Sequence, residues 1–152
     1  MLKQVLICAL LSMTPVVELR AALPVALASG LPPVFSYVLC VVCNMIPVPF
    51  IILFIRKILA WMKKIGGKFN SVAEWVENKA QKKLLVYQKY EILGLFILVA
   101  VPLPGTGAWT GALVAAFLGM RLKHSVPVIF AGVATAGLVM LLVSLGVIHV
   151  VT

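Results

Sequence analysis

Two uninterrupted apolar segments, residues 33–55 and 126–151, most constrain what this chain can fold into. A helix needs about 20 apolar residues to cross a hydrocarbon core about 30 Å thick, and both segments exceed that length. Hydrophobic residues make up 63% of the chain, far above the roughly one half found in soluble domains. A soluble domain of 152 residues could not bury so much apolar surface. We therefore expect one all-α integral membrane domain over residues 1–152.

Two further apolar segments, residues 1–30 and 92–120, are interrupted in the middle. The first is broken at Pro15, and the second at a run that contains Pro102 and Pro104. A continuous helix is improbable at such positions, because proline lacks the N–H that the helix requires. About twelve residues precede each break, and as a helix they rise about 18 Å, a little over half of the hydrocarbon core. Each segment therefore predicts a re-entrant hairpin, which turns near the midplane and leaves on the side from which it entered.

The distribution of basic residues decides between this topology and four ordinary spans. Nine of the thirteen Lys and Arg residues lie within residues 56–91, and cytoplasmic loops of membrane proteins collect such residues. With two hairpins and two spans, residues 56–91 and 121–124 share the cytoplasmic side and residues 29–33 are external. With four spans, the two basic segments lie on opposite sides. The charge bias therefore favours the hairpins.

A weak internal similarity relates the two halves of the chain. A shift of 89 residues places Pro15 on Pro104 and Val25 on Val114. It also aligns small residues at steps of four, namely Ala22, Ala26 and Gly30 on Gly111, Ala115 and Gly119. Inverted repeats with helices broken at the midplane recur in transporters. We expect two inverted repeats, each made of a re-entrant hairpin and one transmembrane helix.

The two halves are joined by residues 56–91, which have an amphipathic helical pattern. Apolar residues recur there at steps of three and four from Ile58 to Ala80, with Lys and Glu between them. Gly66 and Gly67 are expected to divide the segment in two. Four aromatic residues suit a membrane interface, namely Trp61, Trp75, Tyr87 and Tyr90. Although the net charge is +9, we expect anionic lipid headgroups as the partner rather than nucleic acid.

Glu18 and Arg20 are the candidate functional residues of the first hairpin. Each costs about 2.5 to 3.5 kcal/mol at the centre of a membrane helix. Two residues apart on a helix, they do not face each other, so each needs another residue, water or a ligand. One interpretation is a buried network that locks the hairpins together. The other is a substrate or proton site, because a carboxyl removed from water favours its protonated form.

The second break supplies backbone amides just before a helix begins. Free amides together with the positive end of a helix bind anions. The glycines of this break are also what any re-entrant turn requires. The predicted substrate or proton site comprises Glu18, Arg20, Gly105, Thr106, Gly107 and Trp109.

Other chemistry has little support in the sequence. The Cys40-x-x-Cys43 spacing lies in an apolar segment without further ligands nearby and indicates packing residues. His124 and His149 lie near the ends of the last apolar segment, and the chain has no Asp. The patterns of nucleophilic triads, phosphate loops and metal ligands are not found. We therefore expect neither an enzyme nor a bound metal or cofactor.

At these residues the chain resembles a known family. The stretch from Pro15 to Pro24, PVVELRAALP, and that from Pro102 to Trp109, PLPGTGAW, are similar to the small multidrug export protein family, a branch of the DedA superfamily of VTT or SNARE-associated-like membrane proteins. The resemblance covers nearly the whole chain. It implies two facing re-entrant hairpins, with Glu18 as the acidic position of the first hairpin. Arg20 is then its basic position, and the second hairpin's loop contributes the four residues Gly105, Thr106, Gly107 and Trp109.

For the wider superfamily, the resemblance implies proton-coupled movement of lipid carriers such as polyprenyl phosphate, or lipid scrambling. The Gly-x-x-x-Arg-Phe motif of the main DedA branch is not found, and Gly119-Met120-Arg121-Leu122 matches it only in part. We expect a proton- or ion-coupled transporter of a lipid-phosphate headgroup or small amphiphile. The alternatives are a proton-coupled exporter of cationic drugs and a non-transporting membrane scaffold. A homodimer in a prokaryotic inner membrane is expected.

Overall fold

The computed structural model describes residues 2–15, 17–65, 67–103 and 106–151, and every regular element in them is a helix. The elements are α1 Leu2–Met13, α2 Glu18–Ala28, α3 Pro33–Met45, α4 Pro47–Ile65, α5 Lys68–Ala100, α6 Ala108–Phe117 and α7 Leu122–Val151. The first four elements precede the glycine pair of the connector, and the last three follow it.

Helices α1 and α2 form an antiparallel hairpin around the predicted break. Helix α1 ends two residues before Pro15, and the Thr14 hydroxyl donates a hydrogen bond of 2.7 Å to the Leu11 carbonyl there. At the opposite end, Gln4 Nε2 donates to the Ser29 carbonyl at 3.0 Å. A straight helix would separate these two residues by about 38 Å. Residues 1–30 therefore do not form a single span.

Helices α3 and α4 follow one another with a bend at Ile46. Pro47 and Pro49 explain the bend, since neither can donate the i→i−4 bond of a helix. The stretch Pro33–Ile65 is apolar and long enough to cross a membrane, and so is Leu122–Val147. We predicted that the first span ends at residue 55, but the helix continues for ten residues. Lys and Arg are good helix formers, so the basic residues change the surroundings of the helix without ending it.

Helix α5 unites the second part of the connector with the first leg of the second hairpin. We expected the connector to end at residue 91, but the helix is continuous through that point. Helix α6 folds back onto the end of α5, with Gly111 against Val99 and Leu95. Helix α7 packs on the same part of α5, where a Cβ added at Gly132 would lie 2.7 Å from Val99 Cβ. Glycine is thus required for this close approach.

The two hairpins end in the same local structure, 89 residues apart. Gly30 after α2 and Gly119 after α6 have φ angles of +82° and +67°. The next residue's amide then bonds back to the helix, from Leu31 to Ala26 at 3.2 Å and from Met120 to Ala115 at 3.0 Å. This is a common helix ending with a left-handed glycine. The following helices, α3 and α7, also begin 89 residues apart.

The core lies where the hairpins pack against the long helices, and it includes Leu19, Ile52, Val99 and Ile129. Cys40 and its neighbour Cys43 are free and buried. Large apolar side chains also cover the outside of the molecule; examples are Phe50, Phe54, Leu138 and Leu142, which are 51 to 69% exposed. An apolar patch of this extent is uncommon on a soluble monomer. The exterior therefore suits contact with lipid.

Candidate functional site

The two breaks meet, and Glu18 lies at their contact. Its side chain is 5% exposed, and its Oε1 accepts a hydrogen bond of 3.2 Å from the Trp109 amide, with the Ala108 amide also close. These amides belong to the first turn of α6, which has no helical acceptor for them and forms the positive end of the helix. The amides at this helix start, where the sequence predicted an anion site, thus face a carboxyl group of the chain itself.

Gly107 makes this contact sterically possible. A Cβ added to it would overlap the Glu18 carboxylate, and its φ of +146° is one that side-chain-bearing residues rarely adopt. Both the space and the backbone conformation thus require glycine at this position.

Glu18 itself has an uncommon backbone conformation. Its φ is +49°, and no other non-glycine residue among those described has a positive φ. A left-handed conformation costs about 1 to 2 kcal/mol in a residue with a Cβ. Gly107, 89 residues later, also has a positive φ. Glu18 therefore bears a backbone strain that the glycine at position 107 does not bear.

Arg20 reaches across to the loop of the second hairpin. Its guanidinium donates to the Val101 carbonyl at 2.9 Å, to the Thr106 hydroxyl at 2.9 Å and to the Leu103 carbonyl. The Thr106 hydroxyl also lies 3.0 Å from the Val101 carbonyl and 2.9 Å from the Leu103 carbonyl. These carbonyls follow the end of α5, where a cation is favoured by the helix dipole. Arg20 therefore stabilises the second break.

Trp109 makes the reciprocal contact. Its indole Nε1 donates to the Met13 carbonyl, at the end of α1, with a distance of 3.2 Å. Arg20 and Trp109 are again 89 residues apart. One side chain of each hairpin thus donates a hydrogen bond to the backbone at the break of the other hairpin. These reciprocal bonds interlock the two hairpins.

Beside this contact is a small cavity of about 10 Å³, which is roughly the room that one water molecule needs. Glu18, Arg20 and Asn44 are its polar lining, and the remainder is Leu19, Val99, Gly107, Ala108, Val133 and Ala136. Asn44 is 2% exposed, and its Oδ1 has no hydrogen-bond partner among the described residues. The sequence interpretation did not include Asn44. Asn44 is the only residue with an amide side chain in residues 33–55, and an unpaired amide in such an apolar segment is costly. This feature of the sequence could have identified it.

The structure thus brings together five of the six predicted site residues, Glu18, Arg20, Thr106, Gly107 and Trp109. Gly105 lies outside the described residues, as does Pro104. Pro15 and Pro102 lie in the two breaks, as predicted. Contact between the predicted residues is compatible both with a lock between the hairpins and with a binding site.

Comparison with known proteins supports a membrane export family. Residues 18–139 match the family model described as "Putative small multi-drug export protein". Neither the search of curated proteins nor the search of solved structures found a match. The matched region covers about four fifths of the chain; it begins at Glu18, directly after the first break, and includes the second. Together with the two apolar helices that are long enough to span a bilayer, it identifies a membrane protein. The chain belongs to the small multi-drug export protein family.

Proposed function

We propose that this chain is a membrane transporter that exports small amphiphilic cations in exchange for protons, with Glu18 as the group that binds either one. The observation that carries the proposal is the state of Glu18: a buried carboxyl in a left-handed backbone conformation, lining a cavity at the contact of two broken helices. Such strain persists only where the surrounding structure holds it, and it concentrates at functional sites.

The contacts favour a cation over the lipid-phosphate headgroup that the sequence led us to expect first. Glu18 already occupies the amides that a phosphate would use, and Arg20 donates to three oxygens of the facing loop. A phosphate would have to displace both groups. A cation or a proton needs only the carboxylate. The export of drugs named in the family description also fits this choice better than lipid-phosphate transport of the DedA type.

The contacts also suggest how binding could open the site. An ionised Glu18 holds the first turn of α6 through a charge-assisted hydrogen bond, which is about twice as strong as a neutral one. A proton or cation on the carboxylate weakens that bond. The two hairpins are then held by fewer contacts and can separate, so that the cavity opens. We assign no enzymatic step to this cycle.

We infer that both hairpins are re-entrant and that the halves are inverted repeats. The 12 residues of α1 rise about 18 Å, too little to cross the bilayer. The matched glycine endings after α2 and α6 support the repeat. Arg56 donates to the Met120 carbonyl, so the start of the basic connector lies beside residues 121–124. This neighbourhood supports a shared cytoplasmic side.

The connector is proposed to lie on anionic lipid at that side. Trp61 and Trp75 are 64% and 60% exposed, as an interfacial position requires, while the side chain of Tyr87 lies outside the described residues. We also propose that the chain resides in the cell membrane of a prokaryote and forms a homodimer. Both follow from the family resemblance and the small size of the membrane domain.

The test is flux through the purified chain reconstituted in liposomes with an imposed pH gradient. Efflux of a fluorescent lipophilic cation should follow the gradient in the parent. Glu18→Gln should insert and fold but lose the pH dependence, since an amide cannot exchange a proton. Glu74→Gln is the matched control, because Glu74 is exposed in the connector, where its carboxylate accepts from Asn70. It should behave as the parent does.

A second candidate is a membrane scaffold in which the charges only join the hairpins. The interlocking bonds of Arg20 and Trp109 favour it specifically. Removing one member of a buried polar network is strongly destabilising. If the parent shows no pH-dependent flux and Glu18→Gln sharply lowers thermal stability in detergent, the scaffold replaces the transporter.

A further inference from the structure

Asn44 is a buried acceptor without a donor. Its side chain is 2% exposed, and its Oδ1 has no hydrogen-bond partner among the described residues. Buried polar atoms in native proteins are nearly always paired, so an unpaired one needs an explanation. Asn44 lines the same cavity as Glu18. A ligand in that cavity would meet two acceptors, the amide oxygen and the carboxylate.

The carboxylate can accept further hydrogen bonds. An ionised Glu offers about four lone-pair sites, and Oε1 receives the Trp109 amide. The free acceptor capacity of Glu18 and that of Asn44 therefore select a hydrogen-bond donor. A primary ammonium head has three N–H donors and no acceptor, as in lysine. Its single nitrogen is comparable in size with the one water that the cavity can hold, about 10 Å³.

Apart from Arg20, the remaining lining of the cavity is apolar and comes largely from the second half of the chain. Val133, 89 residues after Asn44, lines the cavity, as does Gly107, 89 residues after Glu18. The lining thus combines two acceptors from the first half of the chain with hydrocarbon or hydrogen from the second half. This arrangement suits an amphiphile whose charged end donates hydrogen bonds and whose carbon chain contacts apolar residues.

Arg20 is the other charged residue in the lining. Its guanidinium donates to the loop after α5, and its positive charge offsets that of Glu18. A bound ammonium therefore leaves the site with one excess positive charge, and so does a proton on Glu18. The two cannot be held together, which makes binding of the amine and of the proton mutually exclusive.

We propose that the cavity between Glu18 and Asn44 binds an ammonium group that carries N–H bonds, with Asn44 as the residue that selects it over quaternary ammonium ions. This proposal rests on the proposed function, since it names the class of cation exported. A quaternary ammonium has no N–H to donate, and its four carbon substituents exceed the space of one water. Asn44 would then determine specificity rather than hold the fold.

The test is calorimetric titration of the purified full chain in detergent, at mildly alkaline pH, with methylammonium, tetramethylammonium or sodium at equal ionic strength. Methylammonium should bind saturably and at least about tenfold tighter than the other two cations. Asn44→Leu keeps a similar volume without the acceptor and should weaken methylammonium binding about tenfold or more. Ser36→Ala is the matched control, because Ser36 Oγ is also buried and unpaired on α3 but does not line the cavity. It should leave binding unchanged.

A second variant keeps the test decisive if Asn44→Leu fails to fold. Asn44→Asp retains an acceptor of the same size, so it should keep or strengthen methylammonium binding. The proposal is overturned if tetramethylammonium or sodium binds as tightly as methylammonium, if Asn44→Leu binds methylammonium as the parent does, or if Asn44→Asp loses methylammonium binding. Because the titration needs no transport, methylammonium binding without flux would refute the proposed function alone. Export of cations that lack N–H, unaffected by Asn44→Leu, would refute this inference and retain the transporter.

Discussion

Of the methyl groups that could be added at the described residues of the second break, the one in Gly107→Ala should lower the stability of the protein most. The added Cβ would overlap the Glu18 carboxylate, and alanine would have to adopt a φ of +146°. The carboxylate must then move, and its hydrogen bond from the Trp109 amide is lost. The change thus combines backbone strain with the loss of one charged contact between the hairpins.

The magnitude follows from these two parts. Backbone strain in so sparsely populated a region costs about 1 to 3 kcal/mol, and a buried hydrogen bond to a charged group contributes about 1.5 to 3 kcal/mol. We expect Gly107→Ala to lower the free energy of unfolding by about 2.5 to 6 kcal/mol in total. Gly119→Ala is the control for strain. Its φ is +67° and no atom lies within 4 Å of the new Cβ, so it should cost only about 1 to 2 kcal/mol.

The assay is equilibrium unfolding in mixed micelles with a rising fraction of sodium dodecyl sulfate, followed by circular dichroism. A double-mutant cycle with Glu18→Ala isolates the contact. Once the carboxylate is removed, the penalty of Gly107→Ala should fall by about 1.5 to 3 kcal/mol, to the value of the strain. An equal penalty in both backgrounds, or one no larger than that of Gly119→Ala, would show that the carboxylate does not lie against Gly107.

Three further predictions use the same preparation. Arg20→Ala should lower the free energy of unfolding by about 1.5 to 3 kcal/mol, because the loop carbonyls lose a charged donor, whereas Arg20→Lys should retain part of it; an alanine variant as stable as the parent would contradict the loop contact. Trp109→Phe keeps the ring but loses the bond to the end of α1 and should cost about 0.5 to 1.5 kcal/mol, while Trp61→Phe, on an exposed side chain, should cost nothing measurable. Single cysteines at Ser29 and Lys123, in a cysteine-free background, should react with an impermeant maleimide from opposite sides of the membrane. Labelling from one side would reject the hairpin topology.

The breaks were predictable because their causes are local. A proline removes a helical donor, and Pro15 and Pro102 lie just after the ends of α1 and α5, so the interruptions there have a local cause in the sequence. The predicted end of the connector at residue 91 has no such local cause. The change from charged to apolar residues near residue 91 alters the medium around the helix but no backbone hydrogen bond, and α5 continues through it.

The hydrogen-bond partners of the charged residues could not be predicted from the sequence. The bonds of Arg20 join residues more than 80 positions apart, and two of the three go to backbone carbonyls, which every residue possesses. Residue type therefore carries no signal for them. Asn44 was missed because a lone amide in an apolar helix has many structural explanations. Only its burial without a partner, beside Glu18, distinguishes it.

A side chain at position 107 would overlap the Glu18 carboxylate. This overlap restricts which pairs of residues the two halves can have at positions 18 and 107. If both halves carried an acid at the corresponding position, the two carboxyl groups would occupy the same volume, and the hairpins could not meet. A pair of identical subunits could therefore not carry this acid at both positions and still close the contact. A single chain whose halves have diverged can place one acid at the centre. It thereby limits the carboxyl groups at this contact to one per chain.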